Sequence, residues 1–389
     1  MFVNEILLNA EIFHGLIRYI NSAKKTLVLS SFVLDGRASP GPEIAQALNL
    51  AARRNVHISL LYSMSAVVLK RQQTNQAESF LMLLDGGPAF EIRQYNHYLF
   101  DAMHMKILIA DSCNGMIFGA NIEPLVISCG WRDTGLSFSG VRASHTILKH
   151  FYEVWTKSTP HTLSYSVKKR TFGNDRMKRT ISDCIPVHTN IPYRIAVQTG
   201  CSSCLPGQRI SQVTKSLVRT ICSARSCVDL ITPNLADARI LTCLVNMVET
   251  HGVRVRIITT LEMNVSSYSA LGLWTNREVF HRYGHLFAFR FSNRTRCDGN
   301  GQNCQTCVVN GAVVGANHSK FVCIDGGVRV VIGSANLEPI SMTSAVELNV
   351  ELCPDEPRTQ ARFQDVFTRF WKQAVVTSSG LSKNGRTSS

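Results

Sequence analysis

The apolar positions of this chain follow two periods in turn. Thr26 to Leu34 is rich in β-formers, Glu43 to Arg54 puts Ile44, Leu48 and Ala51 on one helical face, and Val56 to Tyr62 alternates as a strand does. The same order returns in the second half. Cys227 to Thr232 reads as a strand, Ile240, Leu244 and Val248 mark a helical face, and Val253 to Thr259 is again a strand. The flanks match as well: Ala23-Lys24-Lys25 stands before the first strand as Ala224-Arg225-Ser226 stands before its counterpart, and Asn55-Val56 corresponds to Gly252-Val253. Each series closes on an amphipathic helix ending in tryptophan, from about Arg142 to Trp155 and from about Thr359 to Trp371. Strands and helices alternating in this order predict α/β layers. Their repetition predicts two similar α/β-sandwich halves, 1–157 and 207–374, joined by a basic connecting segment at 158–206. The Ser-, Gly- and Lys-rich end, 375–389, reads as a disordered tail.

Composition bounds what these halves can be. With 389 residues, 45% of them hydrophobic, and a mean hydropathy of +0.03, the chain can bury one large core or two fused ones. Asn4, Glu5, Asn9, Glu11 and His14 interrupt the apolar residues of Met1 to Ile20, so no signal peptide is read there. No apolar run approaches the roughly 18 residues of a spanning helix, which predicts a cytoplasmic protein, at most peripheral to a membrane. Thirteen cysteines, an odd number, point to reduced thiols over a disulfide framework. Cys201 and Cys204 form one CxxC, and Cys304 and Cys307 another with Cys297 upstream; four thiolates could hold a structural zinc if the loops meet, and Cys201 or Cys204 could instead be acylated.

The net charge of +14 implies an anionic partner, nucleic acid or acidic lipid headgroups. Lys157, Lys168, Lys169, Arg170, Arg176, Lys178 and Arg179 crowd the connecting segment against the single acid Asp175, either as a solvated linker or as a contact with an anionic surface. The aromatic and basic stretch from Tyr268 to Phe291 could stack bases, although Leu271, Leu273, Trp274, Phe280 and Phe287 read better as core or as a lipid-facing lip.

Chemistry is concentrated in one doubled motif. His104-Met105-Lys106 is followed after four residues by Asp111, and His318-Ser319-Lys320 after four residues by Asp325. Each copy continues into a small-residue turn ending in Asn and an acid, Phe118-Gly119-Ala120-Asn121-Ile122-Glu123 and Gly333-Ser334-Ala335-Asn336-Leu337-Glu338, then proline. On a strand, positions i and i+2 share a face, so His104 and Lys106 project together, as do His318 and Lys320. The apolar Ile107, Leu108 and Ile109, like Phe321, Val322 and Ile324, suit a central strand covered on both faces, where a histidine and a lysine are costly unless they line a cavity. Asp111 and Asp325 fall at the strand ends, before hairpins expected at Asn114-Gly115 and Gly326-Gly327, and spacing does not give their partners.

These groups can process a phosphodiester. One imidazole can attack phosphorus while a second protonates the leaving alkoxide and then deprotonates the incoming water or alcohol. Lys106 and Lys320 can face the nonbridging oxygens, Asn121 and Asn336 can donate hydrogen bonds, and small residues such as Gly119 and Ser334 let backbone amides approach the phosphate. No metal or other cofactor is required.

The doubled motif resembles the phospholipase D superfamily, over about Ile17 to Trp371. Trp131-Arg132-Asp133-Thr134 and Glu347-Leu348-Asn349 look like its cardiolipin synthase and phosphatidyltransferase branch. The resemblance implies a phospholipase D-like fold whose two halves share one pseudo-twofold active site. It implies His104 as nucleophile and His318 as acid and base, with Lys106, Lys320, Asn121, Asn336, Ser334 and Gly119 at the phosphate. Asp111 and Asp325 would organise the site, and Glu347, Glu123 and Glu338 would support it. The sequence departs from the family's Gly-Ser-x-Asn at Phe118-Gly119, and its second copy carries one additional hairpin residue. The expected function is hydrolysis or transfer of phosphatidyl groups on anionic or zwitterionic phospholipid at a membrane surface. The alternatives are a metal-independent nuclease on DNA or RNA and a membrane-associated assembly or envelope factor that retains the fold.

Overall fold

The computed structural model describes residues 1–65, 70–97, 101–161, 184–201, 210–261, 274–292, 295–297, 304–306, 308–309, 312–313 and 315–374. In the first half the elements are β1 (Phe2–Leu8), α1 (Glu11–Ser22), β2 (Thr26–Ser31), α2 (Gly41–Arg53), β3 (His57–Ser65), α3 (Lys70–Leu81) and β4 (Phe90–His97). There follow β5 (Ile107–Ala110), β6 (Asn114–Phe118), α4 (Leu125–Ser128), β7 (Thr134–Ser139), α5 (Val141–Trp155) and the two-residue β8 (Thr159–Pro160). Two strands, β9 (Cys184–Asn190) and β10 (Tyr193–Gln198), occupy part of the segment expected as a connection.

The second half runs α6 (Gln212–Ile221), β11 (Cys227–Ile231), α7 (Ala238–His251), β12 (Arg254–Thr259), α8 (Asn276–Tyr283) and β13 (Ala288–Phe291). Two small hairpins, β14 (Thr295–Cys297) with β15 (Cys304–Thr306) and β16 (Val308–Val309) with β17 (Ala312–Val313), precede β18 (Phe321–Ile324), β19 (Arg329–Gly333), α9 (Pro339–Thr343), β20 (Glu347–Leu352) and α10 (Pro357–Gln373).

The sheets repeat one another. The first has the order β8-β4-β3-β2-β5-β6-β7-β1-β9 and the second β10-β20-β19-β18-β11-β12-β13. Read in opposite directions, β4-β3-β2-β5-β6-β7-β1 matches β13-β12-β11-β18-β19-β20-β10 strand for strand. In each half the first three of these are parallel and joined by helical crossovers. Both motif strands are central, and every residue of β5 and of β18 is buried.

Alternation along β5 shows how the layers form. Leu108 and Ala110 face a core made with Ile12, Phe13 and Leu16 of α1 and with Ile44 and Leu48 of α2. Ile107 and Ile109 face the opposite way, into a core shared with Phe321, Cys323, Val330 and Ile332 of the other half. The closing helices lie in that shared core: Ile147, Phe151 and Val154 of α5 and Phe363, Val366, Phe367 and Phe370 of α10. The third core, under α6 and α7, completes a succession of helices, sheet, α5 with α10, sheet, helices. The starts of α6, α7 and α8 are capped by side chains: Ser211 Oγ accepts from Thr214 N at 3.0 Å, Asp237 accepts from Arg239 N at 3.0 Å, and Thr275 with Glu278 forms a reciprocal box.

Several sequence expectations change. The first hairpin turns at Asp111, Ser112 and Cys113, whereas Asn114 and Gly115 already pair with Ala110 and Ile109. The first two of these turn residues adopt positive φ, 51° and 55°. The second hairpin turns over Asp325 to Val328, between the paired Ile324 and Arg329, with Gly326 and Gly327 at φ 73° and 106°. It has one more loop residue than the first, in keeping with the sequence. Cys222 and Cys243 join α6 to α7 in a disulfide, with Cα atoms 6.6 Å apart, and Cys201 is disulfide-bonded too. Cys113, Cys129, Cys184, Cys227, Cys323 and Cys353 are free thiols, whereas Cys201, weighed above as a zinc ligand, is paired instead. Cys204 and Cys307, and the side chain of Cys304, lie outside the described residues, among which no group of three or more His, Cys, Asp or Glu could hold a metal. Also outside them lie the basic run from Lys168 to Arg179, the tail from 375 to 389, and Tyr268 to Leu273. Phe287 is core, 3% exposed, whereas Trp274 is 36% exposed. Among the described residues no helix is long and apolar enough to cross a membrane.

Candidate active site

The two motifs enter the site from extended segments just ahead of their strands. His104 and Lys106 precede β5, and His318 and Lys320 precede β18, so both pairs stand at the entrances of their strands, and Lys106 O reaches the ladder, accepting from Phe118 N at 3.2 Å. What holds each segment is the other half. Met103 bridges Val346 and Arg132 bridges Asn317, both in parallel. His104 N donates to Val346 O at 2.9 Å, and His318 N donates to Arg132 O at 2.8 Å. The approach to β20 therefore positions the first motif, and the approach to β7 positions the second.

This crossing gives each imidazole a carboxylate from the opposite half. His104 Nδ1 lies 3.0 Å from Glu347 Oε1, and His318 Nδ1 lies 2.7 Å from Asp133 Oδ2. Glu347 and Asp133 are wholly buried, and the His104 side chain is 12% exposed. Glu347 also accepts from Ser334 Oγ, which in turn accepts from Leu348 N at 3.1 Å; Asp133 accepts from Thr134 N at 3.0 Å. With Nδ1 committed to a carboxylate, each ring keeps Nε2 for chemistry. Asp133 was not read from the sequence as a site residue. The signal was present, because it stands at the start of β7 where Glu347 stands at the start of β20.

The lysines complete the centre. Lys106 is wholly buried and donates to His104 O at 2.7 Å; Lys320 Nζ donates to His318 O and lies 3.0 Å from each ring nitrogen of His318. Burial pulls the lysines down, Lys106 to about 7 by desolvation and then the charge of Lys320, and Lys320 to about 8 by desolvation against the pull of Asp133, Glu347 and Glu123. His104 falls to about 4 through burial and then Lys106, against the pull of Glu347. His318 falls well below its ordinary value through burial, then Lys320, Lys106 and His104, so the two motifs act on each other electrostatically. Burial raises Asp133 to about 7 despite Lys320 and the Thr134 amide. Burial pushes Glu347 up as well, but His104, Lys106 and Ser334 outweigh it and hold the group below its ordinary range. Phe32 packs edge-on against His104 at 5.3 Å, and Trp131 lies tilted against His318 at 5.4 Å.

The remaining expected site residues divide. Gly119 is at the centre: a Cβ there would sit 2.1 Å from Asp133 Oδ1 and 3.5 Å from Lys320 Cδ, so only glycine fits. Asn121 donates from Nδ2 to Glu123 Oε1 at 2.6 Å, and its Oδ1 and that of Asn336 are buried without a partner. Glu123 is raised by burial against that hydrogen bond. Glu338 caps α9, accepting from Ile340 N at 2.8 Å and Ser341 N at 2.9 Å, and burial raises it to about 7.

Asp111 and Asp325 do not join the site. Asp111 accepts from the backbone N–H groups of Lys24, Lys25 and Thr26 at 2.9, 2.7 and 3.0 Å, and Asp325 from those of Arg225, Ser226 and Cys227 at 2.9, 2.8 and 2.9 Å. They lie at the far ends of β5 and β18, roughly 16 Å along the chain from the lysines at about 3.3 Å per residue. Their role is to start β2 and β11, which corrects the expectation that they organise the site directly.

Two α/β halves exchanging backbone and carboxylates around paired His and Lys define a two-halved phospholipase D-like protein. The family model described as "Cardiolipin synthase, PLD-like domain" matches residues 16–155 and 217–371, and the chain belongs to that family, within the phospholipase D superfamily. Among solved structures, the chain is similar to the phosphatidylserine synthase of Haemophilus influenzae, with a TM-score of 0.65 and 15% identity, over 96% of this chain and 87% of that one. It is also similar in fold to the polyphosphate kinase of Porphyromonas gingivalis, with a TM-score of 0.52 and 11% identity, over 97% of this chain and 52% of that one. No curated protein sequence matches it.

Proposed function

We propose that the chain hydrolyses or transfers phosphatidyl groups through a covalent phosphohistidine. The observation that carries this reading is the pair of imidazoles, each tied at Nδ1 to a buried carboxylate from the opposite half. Family membership and the likeness to a phosphatidylserine synthase support phospholipid as the substrate class.

In the first step His104 Nε2 forms a bond to phosphorus and the bond to the leaving alcohol breaks. The leaving oxygen takes the proton held by His318 with Asp133. In the second step an incoming water or alcohol gives its proton back to that pair and attacks phosphorus, and the N–P bond breaks. Lys106 and Lys320 lie where they would face the nonbridging oxygens and supply the charge stabilisation that other phosphotransfer sites draw from metal ions. Their depressed values make them responsive to an arriving anion, because the monoanionic phosphodiester favours the ammonium form.

The test is release or exchange of headgroup from phospholipid vesicles in EDTA. Wild type is expected to be active and His104→Asn to fall by at least about 10³-fold, as for loss of a nucleophile. Activity that needs added divalent metal, or that survives His104→Asn, contradicts the reading. The charge of +14 favours a second reading, cleavage of nucleic acid. A single-stranded oligonucleotide in the same assay decides between the two.

A further inference from the structure

The two halves differ at two matched pairs of positions beside the histidines, Ser334 against Gly119 and Glu347 against Asp133. Ser334 and Gly119 each precede Ala-Asn, and each amide donates to the strand opposite, Ser334 N to Leu348 O and Gly119 N to Thr134 O, both at 3.0 Å. Ser334 carries a hydroxyl that donates to Glu347, the partner of His104. Gly119 has none, and the space of its missing Cβ is taken by Oδ1 of Asp133, whose Oδ2 is the partner of His318. A longer acid with a hydroxyl donor in one half thus answers a shorter acid with glycine in the other.

We propose that this exchange assigns the histidines their roles: Ser334 is a positioning group whose hydroxyl keeps Glu347 ionised and the proton of His104 on Nδ1, whereas Asp133, which has the Thr134 amide in place of a hydroxyl donor, shares a proton with His318. The proposal rests on the phosphohistidine reading and deepens it. An ionised Glu347 leaves the Nε2 lone pair of His104 free to attack at neutral pH. A proton held between Asp133 and His318 is the one that the leaving oxygen needs. Burial raises both carboxylates; His104, then Lys106 and then the Ser334 hydroxyl bring Glu347 below its ordinary range, whereas Asp133 stays up at about 7 against Lys320, the Thr134 amide and Lys106, with Glu123 adding to the rise. Both rings also face Lys106 and Lys320, whose charges act on the two histidines alike in sign and so do not create the difference.

The experiment is a histidine ¹⁵N NMR titration of the full chain, read without substrate, beside the pH profile of phospholipid hydrolysis. In Ser334→Ala the protonation midpoint of the His104–Glu347 pair is expected to rise by about one pH unit, with His318 unmoved, and the acid limb of kcat/KM to rise with it. Ser334→Thr is expected to restore both. Gly119→Ala, which drives a methyl against Asp133, is expected to move His318 and not His104. No movement of His104 in Ser334→Ala, or equal movement of both histidines, overturns the proposal. Turnover is a separate readout: a wild type with the expected titration but no phosphodiester cleavage supports the proton placement and counts against the phosphohistidine reading.

Discussion

Asp133 and Glu347 hold equivalent places at the starts of β7 and β20, and both are wholly buried, yet burial prevails over the local donors at only one of them. Asp133 has a folded value of about 7 and an unfolded value of about 3.9, so across that window the folded chain holds a proton that the unfolded chain has released. Its contribution falls as pH rises from about 4 to 7 and is level above. The histidines act oppositely: with His104 near 4 when folded and about 6.5 unfolded, the unfolded chain binds the proton and stability rises across that interval. The difference between wild type and Asp133→Asn therefore isolates the carboxyl. Thermal unfolding from pH 5 to pH 7.5 is expected to show the variant gaining stability relative to wild type as pH rises. Its kcat should fall by about 10²- to 10⁴-fold, the usual contribution of acid–base catalysis. A pH-independent difference in Tm would contradict the protonated state of Asp133. The sequence showed His104, Lys106, His318 and Lys320 because residue type and repetition mark them, and Glu347 through the family resemblance. It hid Asp133, because a chain repeated with aspartate in one copy and glutamate in the other looks unmatched until the strands are superimposed.

Among the elements, β5 and β18 show what spacing can and cannot tell. Their apolar runs and central positions were legible, since a strand covered on both faces must be nearly continuous in hydrophobicity. The placement of His and Lys just ahead of the ladder was not, because that segment pairs with the other half and local periodicity carries no information about a partner two hundred residues away. Asn114-Gly115 misled for a similar reason: Asp111 takes positive φ itself, and its carboxylate is pinned by Lys24, Lys25 and Thr26, so the turn closes earlier. Asp111→Ala is expected to leave kcat of the folded protein within about twofold. It should cost about 1–2 kcal/mol in urea unfolding, since the three lost hydrogen bonds to a charged acceptor are partly exposed to water. A loss of kcat larger than tenfold with stability unchanged would return Asp111 to the active site.

At the scale of the molecule, one core serves both halves. Phe367 of α10 is wholly buried, stacks on Trp371 at 5.4 Å and supports Arg256, whose guanidinium lies 4.7 Å from its ring. Because that core also holds Ile107, Ile109 and Phe321 beside the motifs, damage to it should reach the catalytic pairs in both halves. Phe367→Ala is expected to cost about 3–5 kcal/mol, with a single unfolding transition reported alike by fluorescence and circular dichroism. Two separated transitions would mean that the halves fold independently. The duplication was legible in the sequence from its matched strands, helices and motifs. The depth of the fusion was not, since α5 and α10 look like ordinary amphipathic helices and nothing local says that their apolar faces share one interior.

The central claim, attack by His104, is tested most directly by trapping the intermediate. Wild type and His318→Asn are incubated with phospholipid labelled in the phosphatidyl group and with labelled oligonucleotide, quenched in base, and digested for peptide mapping. The account predicts an adduct from the lipid that is stable to base, labile to acid and located at His104; His318→Asn, which lacks the group that serves both steps, should form it more slowly and, once formed, break it down more slowly. Label at His318, or no adduct from lipid while His104→Asn continues to turn over, would contradict it.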